Sequence, residues 1–434
     1  MMPSPKRELE RLTVFGEADE QTIRQMLNCL AVEEDAVGVL CADNHLGYSQ
    51  PIGAAVAYRE HISPSGVGFD IGCGNKAVLT DLKASEIDVA RVMDEIVERI
   101  SFGIGRKNHE PVDHPVLDEI RGAAFAPQRK LYDLAAEQLG TVGGGNHYVD
   151  LFADEQDRLW VGVHFGSRGF GYKTAAGFLS LARGGRFEDP VVEGEMMSPP
   201  VVFRADSALG EAYLEAMTLA GKYAQAGRDV VCAKVLEILG AREVASVHNH
   251  HNFAWREEHF GETWWVIRKG CTPAFPGQQS FVGSTMGEES VILEGTEQGA
   301  KALFSTVHGA GRVMSRMEAA GKRKLRWTCS DPACGWVKPA GGGRPEKCPR
   351  CRKARLVKRW VQVKPGKIDF ERVREELKRK GIELRGGAAD EAPAAYKRLD
   401  DVLAEHGDTI RVLHRLRPIG VAMAGPDVYD PYKD

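Results

Sequence analysis

GVGFDIGCGN, at positions 66–75, carries the aspartate and the cysteine around which the fold is expected to form. Asp70 and Cys73 are three residues apart, and four of these ten residues are glycine, a composition that disfavours a stable helix. On a loop, a carboxylate and a thiolate can converge on one cation. The apolar run that follows, KAVLTDL at 76–82, predicts a strand. The stretch therefore predicts a metal-binding loop directly before a strand.

Three further glycine segments stand beside side chains of the same kind. They are GTVGGGNH at 140–147, HFGSRGFG at 164–171 and HGAGR at 308–312. Glycine lets the backbone approach a ligand closely and adopt positive φ. Ordinary turns explain any one of these segments. Four segments, each next to a histidine, a cysteine or an aspartate, favour a shared binding site.

The histidines supply more metal ligands than one tetrahedral site uses. They are His147 after GGGN, His164 near the end of LWVGVHF, and His248, His250 and His251 in SVHNHHNF. One at a time, such histidines are more often structural, but together with Asp70 and Cys73 they favour two neighbouring ions. Thiolate, imidazole and carboxylate ligands indicate zinc first. Manganese is the alternative, where phosphate and water complete an octahedron.

Composition restricts the class of protein. The chain has 434 residues, 43% hydrophobic and 27% charged, which is ordinary for a globular protein with a well-buried core. Its formal net charge of -4 predicts no overall attraction to nucleic acid, so any such attraction has to be local. No run reaches the roughly 18 apolar residues of a membrane span. The N-terminus also lacks the apolar run of a signal peptide, so we expect no membrane partner and a cytoplasmic location.

Apolar periodicity predicts helices and strands that alternate irregularly along the chain. The predicted helices cover 19–32, 85–100, 114–139, 207–239 (as one helix or two), 370–380 and 393–404. The predicted strands cover 37–41, 76–82, 159–165, 244–247, 263–267 and 291–293. Because strand and helix do not repeat as a regular unit, we expect a mixed α/β fold (α+β) and not a doubly wound sheet.

These segments, in this order, resemble the RtcB family of RNA ligases. The matching stretches run from Asp43 to about position 420, and they are DNHLGYSQPIG, ISPSGVGFDIGCG, VGGGNHYVD, VHFGSRGFG, HHNFAWRE, RKGCTPAFPG, STVHGAGRV, DEAPAAYK and LRPIG. The combination of GFDIGCG, GGGNH, GSRG and HGAGR is highly specific. The resemblance implies one catalytic domain with central sheets and a deep metal cleft.

The resemblance also implies two manganese ions bridged by one cysteine. One ion would be held by Asp70, Cys73 and His147, and the other by Cys73, His164 and His251. His251 is preferred to its rival His248 because the family has histidine, then asparagine, then an aromatic or apolar residue.

By the same resemblance, His308 of HGAGR would be the nucleophile that attacks the α-phosphate of GTP. Arg312 would pair with the phosphate oxygens, and Asp43 would orient the imidazole. GMP would then pass from the histidine to an RNA 3′-phosphate, formed by opening a 2′,3′-cyclic phosphate, and a 5′-hydroxyl would displace it. The implied partners are a nucleoside triphosphate and cleaved RNA, such as tRNA halves.

Five further residues match family positions around the nucleotide or the RNA end. Arg168, Asn146 and Lys269 match residues near the phosphates or the RNA end, and Asp150 and Ser284 match residues of the nucleotide pocket. Three departures from the family pattern bear on the choice of GTP. The family's closing lysine-glycine pair is replaced here by VAMAG, after which nine residues follow, and Lys433 among them is a candidate substitute. Asp150 stands where many members have glutamate, and Ser284 lies in FVGSTMG, which is shifted by a residue.

A segment foreign to the typical member follows HGAGR. It reads CSDPACGWVKPAGGGRPEKCPRC, with Cys-x4-Cys and Cys-x2-Cys separated by thirteen residues. This spacing predicts a zinc ribbon with a structural Zn²⁺ that supplies its folding energy; its ligands would be Cys329, Cys334, Cys348 and Cys351. The other five of the nine cysteines are scattered, which argues against a disulfide framework.

The segment 322–360 carries thirteen lysines and arginines against two acids, with Trp327, Trp336 and Trp360 interleaved. Such a composition suits attraction to a phosphate backbone and base stacking. We therefore expect the ribbon to hold RNA and guide an end to His308; a solvated structural insert or a dimer contact is the alternative. The predicted domain organisation is a catalytic domain in two parts, 1–321 and 361–434, interrupted by the ribbon.

Three functions follow from the sequence. The first is an RNA ligase that joins 3′-phosphate or cyclic-phosphate ends to 5′-hydroxyl ends. The second is a related nucleotidyltransferase that caps 3′-phosphate ends without sealing them. The third is a non-catalytic RNA-binding protein in which the ribbon carries the function.

Overall fold

The computed structural model describes residues 10–191, 195–339, 341, 343 and 345–426. Its strands and helices interleave without a repeating unit, so the expected mixed α/β class is confirmed. Lys433 lies outside the described residues. No helix of the described part is long and apolar enough to cross a membrane.

The strands, in chain order, are β1 (Leu12–Val14), β2 (Val37–His45), β3 (Ile52–Tyr58), β4 (His61–Ile62), β5 (Gly74–Lys83), β6 (Tyr148–Ala153), β7 (Arg158–Phe165), β8 (Phe203–Arg204), β9 (Glu243–His250), β10 (Asn252–His259), β11 (Glu262–Lys269), β12 (Cys271–Pro273), β13 (Gln279–Val282), β14 (Ser290–Gly295), β15 (Ser305–Val307), β16 (Gly321–Cys329), β17 (Leu356–Pro365), β18 (Glu383–Arg385) and β19 (Ile410–Met423).

The helices are α1 (Glu20–Leu30), α2 (Pro64–Val67), α3 (Val89–Arg99), α4 (Pro115–Arg121), α5 (Ala126–Arg129), α6 (Tyr132–Gln138), α7 (Arg168–Ala182), α8 (Ala208–Leu239), α9 (Arg316–Ala320), α10 (Phe370–Arg379) and α11 (Leu399–His406). Short 3₁₀ turns lie between them, among them Ala389–Glu391 and Pro393–Ala395.

Two sheets hold the functional loops. One has the order β1-β2-β3-β11-β10. The other has the order β13-β14-β19-β6-β7-β5-β9, with β18 parallel beside β19. β9 ends at His250 and β10 begins at Asn252, so the chain passes from one sheet to the other at His251.

The strands of the second sheet are buried on both faces. Side chains from α3 and α8 pack on one face, against residues such as Val78 and Val161. Side chains from α10 pack on the other face, against residues such as Leu79 and Trp160. Burial on both faces explains why β7 is an almost continuous apolar run in the sequence.

Helix α8 was expected as one helix or two, and it is a single helix of 32 residues. The Ser207 side chain accepts a hydrogen bond from the Gly210 N–H at its start, and Gly240 ends it in the left-handed conformation, with φ 64°. These two caps define the start and the end of a single helix, which the apolar pattern alone could not distinguish from two.

Two predicted helices are wrong in extent. The predicted helix 114–139 is three short helices, α4, α5 and α6, because Gly122 ends the first and Pro127 lies in the first turn of the second. The predicted helix 393–404 starts as a 3₁₀ turn, and the α-helix begins only at Leu399. Strands β3, β6, β10 and β19 and helix α7 are among the elements that were not predicted.

The segment between β16 and β17 forms a small separate core. The two strands pair with each other as a two-stranded sheet, and the four cysteines expected to bind zinc cluster with Leu356, Trp327 and Trp336. The domain boundaries at 322 and 360 stay a prediction.

Candidate active site

The candidate ligands lie together at one end of the strands of the second sheet, because the strand register aligns these ends. Cys73 directly precedes β5, and Asn75 of β5 lies opposite His164 of β7. His164 in turn lies opposite Tyr148 of β6, which directly follows His147. On the other side of β5, Gly74 lies opposite His250 of β9, next to His251. Residues far apart in sequence therefore meet at aligned strand ends.

Two groups of three metal-type side chains share Cys73. The ligand atoms of Asp70, Cys73 and His147 lie within 4.8 Å of one another, and so do those of Cys73, His164 and His251. His147 Nε2 lies 3.1 Å from Asp70 Oδ2, and Cys73 Sγ lies 3.4 Å from His164 Nε2. The arrangement would offer one sulfur atom to two cations at once. Burial raises the pKa of Cys73 well above its ordinary value, so its thiolate would form as a cation binds.

The environment suits cation binding. Burial holds the pKa of His164 and of His251 well below the ordinary value, so both imidazoles are neutral and offer lone pairs. Burial would raise the pKa of Asp70, but the His147 hydrogen bond and the nearby Arg168 hold it at about 2, so the carboxylate is charged. His251 Nδ1 is buried without a hydrogen-bond partner in the described part of the chain. These groups fit a metal ion, and their chemistry admits zinc or manganese.

The rival histidine His248 is occupied elsewhere. The fully buried Arg228 donates from Nε to His248 Nε2 at 2.8 Å. The same guanidinium donates from Nη1 to the carbonyl oxygens of Gly72 and Phe165. His248 therefore belongs to a hydrogen-bond network that supports the Cys73 loop, and His251 is the histidine that lies beside Cys73.

His308, directly after β15, is held by the fully buried Asp43. His308 Nδ1 lies 2.7 Å from Asp43 Oδ2, and the His308 backbone N–H donates to the same oxygen at 3.0 Å. Burial would raise the pKa of Asp43, but His308 outweighs it and the pKa lies below its ordinary value. A proton on Nδ1, donated to Asp43, leaves the Nε2 lone pair of His308 available. The His308 ring centroid lies 4.9 Å from that of His251, so the nucleophile candidate adjoins the second ligand group.

A cleft of about 260 Å³ opens in front of His308. Its lining includes Asn146, Tyr148, Asp150, His164, Ser284, Thr285, Met286, Arg312, Arg316, Tyr396, Val421 and Met423. Four buried polar atoms of this lining have no hydrogen-bond partner among the described residues, namely Tyr148 Oη, Asp150 Oδ1, Ser284 Oγ and Thr285 Oγ1. Burial raises the pKa of Asp150 well above its ordinary value. Such unpaired groups fit a polar ligand, as a nucleoside would be.

A second cleft, of about 430 Å³, adjoins the first ligand group. It is lined by Asp70, His147, Arg168 and Lys173, and it meets the first cleft at Asn146 and Arg316, which line both. Two glycines make room here: a Cβ at Gly143 would overlap the Arg168 guanidinium, and one at Gly166 would overlap the Asp70 carboxylate.

Two predicted site residues make contacts other than those expected. Arg312 lines the first cleft, but its guanidinium donates to Tyr396 Oη at 2.7 Å and to the Asp390 carbonyl at 2.8 Å. Lys269 Nζ donates to the Tyr48 carbonyl oxygen at 2.6 Å and lines a neighbouring cavity of about 200 Å³, next to the His308 cleft. Their predicted contacts with phosphate stay predictions.

Sequence reasoning missed several lining residues. Arg316 forms ion pairs with Asp390 and Glu391, and Glu391 accepts a hydrogen bond from Tyr396. Three of these four residues belong to DEAPAAYK, a stretch that contributes to the family resemblance but for whose side chains no role was predicted. His45, whose pKa burial lowers to about 4, also lines the cleft and was not predicted.

The ribbon cysteines have the spacing of a tetrahedral thiolate site. Sγ–Sγ distances are 3.6 Å for Cys329 and Cys351 and 3.7 Å for Cys334 and Cys348. A tetrahedron with Zn–S bonds of about 2.3 Å has edges of about 3.8 Å, whereas a disulfide needs about 2.05 Å. The backbone N–H groups of Ala354 and Lys353 lower the pKa of Cys351, which favours its thiolate. The four residues fit zinc.

The chain is similar to known proteins over most of its length. The family model described as "tRNA-splicing ligase RtcB" matches residues 27–126 and 118–331. The RNA-splicing ligase RtcB of Escherichia coli (strain K12) is 28% identical over 404 residues, which cover 87% of this chain and 87% of that protein. The tRNA-splicing ligase RtcB of Archaeoglobus fulgidus is 28% identical over 463 residues, with 88% and 86% covered. That of Thermococcus kodakarensis is 27% identical over 508 residues, with 95% of each chain covered.

Proposed function

The chain belongs to the RtcB family, and from this premise we propose that it is an RNA ligase. Its substrates are RNA ends with a 2′,3′-cyclic phosphate or a 3′-phosphate and RNA ends with a 5′-hydroxyl. The observation that carries the proposal is the shared thiolate: Cys73 belongs to both ligand groups, and the second group adjoins His308 through His251. The proposed metal ligands and the proposed nucleophile thus line one continuous site.

The first step is nucleotide transfer to the protein. His308 Nε2 attacks the α-phosphorus of GTP, an N–P bond forms, the bond to the β-phosphate oxygen breaks, and pyrophosphate leaves. The imidazole becomes positively charged as the bond forms, and the Asp43 carboxylate 2.7 Å from Nδ1 stabilises that charge. The product is GMP held on His308.

RNA joining follows in two displacements. Water opens a cyclic phosphate to a 3′-phosphate, whose oxygen attacks the phosphorus of GMP and releases His308. The 5′-hydroxyl of the second RNA then attacks the 3′-phosphorus, GMP leaves, and the phosphodiester is closed. Arg168 lines the second cleft beside His147 and would hold the RNA phosphate. Lys269 lies farther along the same surface, in the neighbouring cavity.

Two manganese ions complete the proposed site. Asp70, Cys73 and His147 would hold one, and Cys73, His164 and His251 would hold the other. When bound, these ions neutralise phosphate charge and activate the attacking oxygens. A structural zinc ion in the ribbon would be held by Cys329, Cys334, Cys348 and Cys351.

The nucleotide would occupy the cleft in front of His308. The unpaired oxygens of Asp150 and Ser284 are available to read a base, and Asn146 lies where the two clefts meet. The last strand, β19, contributes the apolar Val421 and Met423 to this lining. Because both side chains belong to VAMAG, the stretch that replaces the family's closing lysine-glycine pair, a second candidate function is nucleotide capping of 3′-phosphate ends without sealing.

Nucleotide labelling tests the proposal. The full chain is incubated with manganese and α-³²P-labelled GTP or ATP, then denatured in SDS. We expect a label from GTP that is absent in His308→Ala and present in the matched control His109→Ala, an exposed histidine outside the site. An RNA with cyclic-phosphate and 5′-hydroxyl ends should then be sealed. Label with a capped but unsealed RNA would favour the second candidate, and a chain that takes no label from either nucleotide would contradict both.

A further inference from the structure

A two-stranded hairpin, formed by β16 and β17, rises from the rim of the clefts. Arg316 lines both clefts and begins the short helix α9, and β16 starts at Gly321 directly after that helix. Each strand of nine or ten residues extends about 30 Å at roughly 3.3 Å per residue. The hairpin therefore connects the rim of the active site to a surface well beyond it.

The register of this hairpin sets like charges against each other. Lys322 lies opposite Lys364, and Arg326 lies opposite Arg359. Like charges directly opposite in an antiparallel pair are destabilising. Neither Arg326 nor Arg359 forms an ion pair with any residue of the described ranges, and Arg359 donates only weakly, at 3.4 Å, to the Ser330 carbonyl. Without a ligand, the repulsion between these side chains thus destabilises the hairpin, and a bound anion would relieve this repulsion.

These charges share one face of the hairpin. Lys322, Lys324 and Arg326 occupy alternate positions of β16, so their side chains point the same way, and Arg359 lies beside Arg326. We call Lys322, Lys324, Arg326, Arg359 and Lys364 the basic face. The opposite face carries Trp327 and Trp360, and Trp327 packs on the cysteine cluster with Lys358 above its ring. Trp327 ties the opposite face to the ribbon, and Arg323 of that face donates to the Pro426 carbonyl oxygen at 2.7 Å. Lys322, Lys324, Arg359 and Lys364 of the basic face are exposed and accessible to a ligand.

The charge balance of the chain indicates a polyanion. The segment 322–360 holds thirteen of the chain's basic residues and only two of its acids, while the whole chain has a formal net charge of -4. A nucleic-acid strand is therefore attracted more strongly to this segment than to the rest of the chain. A continuous row of cations that leads away from the rim matches a phosphate backbone better than a single small anion.

We propose that the basic face binds the phosphate backbone of the single-stranded RNA whose end is processed at His308. This proposal rests on the proposed function for the identity of the RNA, and on the hairpin's geometry for the surface. The RNA end would enter at Arg316 and the body of the strand would run outward along β16. Binding would be independent of base sequence, because the contacts are to phosphates.

The test measures RNA binding as a function of salt. A fluorescent single-stranded RNA is titrated at several salt concentrations with full-length wild type, with Arg326→Gln/Arg359→Gln and with the control Arg91→Gln/Arg242→Gln. The control arginines lie away from the hairpin, in α3 and directly before β9. Each lost phosphate contact reduces the slope of log K against log salt by about 0.7. We expect the slope of the first variant to be shallower by about 1.4, and that of the control to equal the wild type.

Two further measurements separate this proposal from the proposed function and from a contact between copies of the chain. Nucleotide labelling of His308 should be the same in all three proteins; if the wild type takes no label, the proposed function fails while the salt slopes still test the basic face. A slope unchanged in Arg326→Gln/Arg359→Gln overturns the proposal. So does a wild type that self-associates in sedimentation through the basic face while its RNA slope is insensitive to the substitutions, because the face would then be a contact between copies.

A charge reversal provides a second variant, which tests the proposal even if Arg326→Gln/Arg359→Gln folds poorly. Arg326→Glu places a carboxylate opposite Arg359, which converts a repulsive cross-strand pair into an attractive one. We expect the melting temperature of the RNA-free protein to rise slightly, while RNA binding weakens and its salt slope falls. A variant that binds RNA as tightly as the wild type would contradict the proposal.

Discussion

At the scale of single residues, Asp43 determines the orientation of His308, the proposed nucleophile, and which ring nitrogen carries its proton. Its Oδ2 accepts hydrogen bonds from both Nδ1 and the backbone N–H of His308. An amide at this position can still accept one hydrogen bond, but it cannot stabilise a positive imidazole. We expect Asp43→Asn to slow labelling of His308 by about 100-fold or more, measured as initial rates at saturating GTP. The exposed Asp133→Asn is the control, and equal rates in both variants would show that the carboxylate charge is not used.

Gly166 provides a second test at this scale, because a side chain there would displace a proposed metal ligand. A Cβ at Gly166 would overlap the Asp70 carboxylate, whereas a Cβ at Gly122 would make only ordinary contacts. We expect Gly166→Ala to weaken manganese binding about 10-fold or more, measured by calorimetry. Gly122→Ala should bind as the wild type does. Normal affinity in Gly166→Ala would mean that Asp70 is not a ligand.

At the scale of elements, the sequence predicted best where local pattern and tertiary burial agree. β7 was recognisable because both of its faces are buried, which leaves a continuous apolar run. β3, with the sequence IGAAVAY, was overlooked because its small residues lie inside a glycine-rich region, although the strand is almost wholly buried between β2 and β11. Helix α7 begins RGFG, a poor helix start by propensity, and its packing on α8, α6 and α2 stabilises it.

In the candidate site, too, the sequence predicted what a local pattern contains and missed what depends on tertiary contacts. Metal-type side chains beside glycine motifs could be found by sequence, because the motif itself requires backbone close to a ligand. Which of two histidines approaches Cys73 depends on the β5–β9 register and on Arg228, neither of which a local pattern contains. The ion pairs of Arg316 with Asp390 and Glu391 join segments on either side of the ribbon, so no local pattern could have predicted them.

The ribbon allows a prediction that concerns one element alone. Its small core of four cysteines and Leu356 is separate from the four larger hydrophobic clusters. We expect Cys348→Ser to lose the zinc and to change the fluorescence of Trp327 and Trp336, while the cooperative melting of the remainder is kept. The control Cys232→Ser, a buried thiol in α8, should retain its zinc. Loss of all cooperative melting in Cys348→Ser would show that the catalytic part depends on the ribbon.

At the scale of the whole molecule, the proposed metal ligands come from loops that meet only in the folded chain. Asp70 and Cys73 precede β5, His147 precedes β6, and His251 joins the two sheets. An ion that binds these groups binds the native state and not the unfolded chain. Binding therefore stabilises the fold as a whole, by about 2.7 kcal/mol when free ion exceeds the dissociation constant 100-fold.

Cys73 makes this stabilisation testable, because it belongs to both ligand groups. We expect manganese to raise the melting temperature of the wild type and to leave that of Cys73→Ser nearly unchanged, since one substitution removes a ligand from each group. Cys232→Ser melts lower because a buried thiol is altered, but its manganese-induced rise should equal that of the wild type. If Cys73→Ser kept the full rise, the ions would bind elsewhere, and the two groups at the strand ends would be hydrogen-bonded clusters that stabilise the sheet edge without any metal.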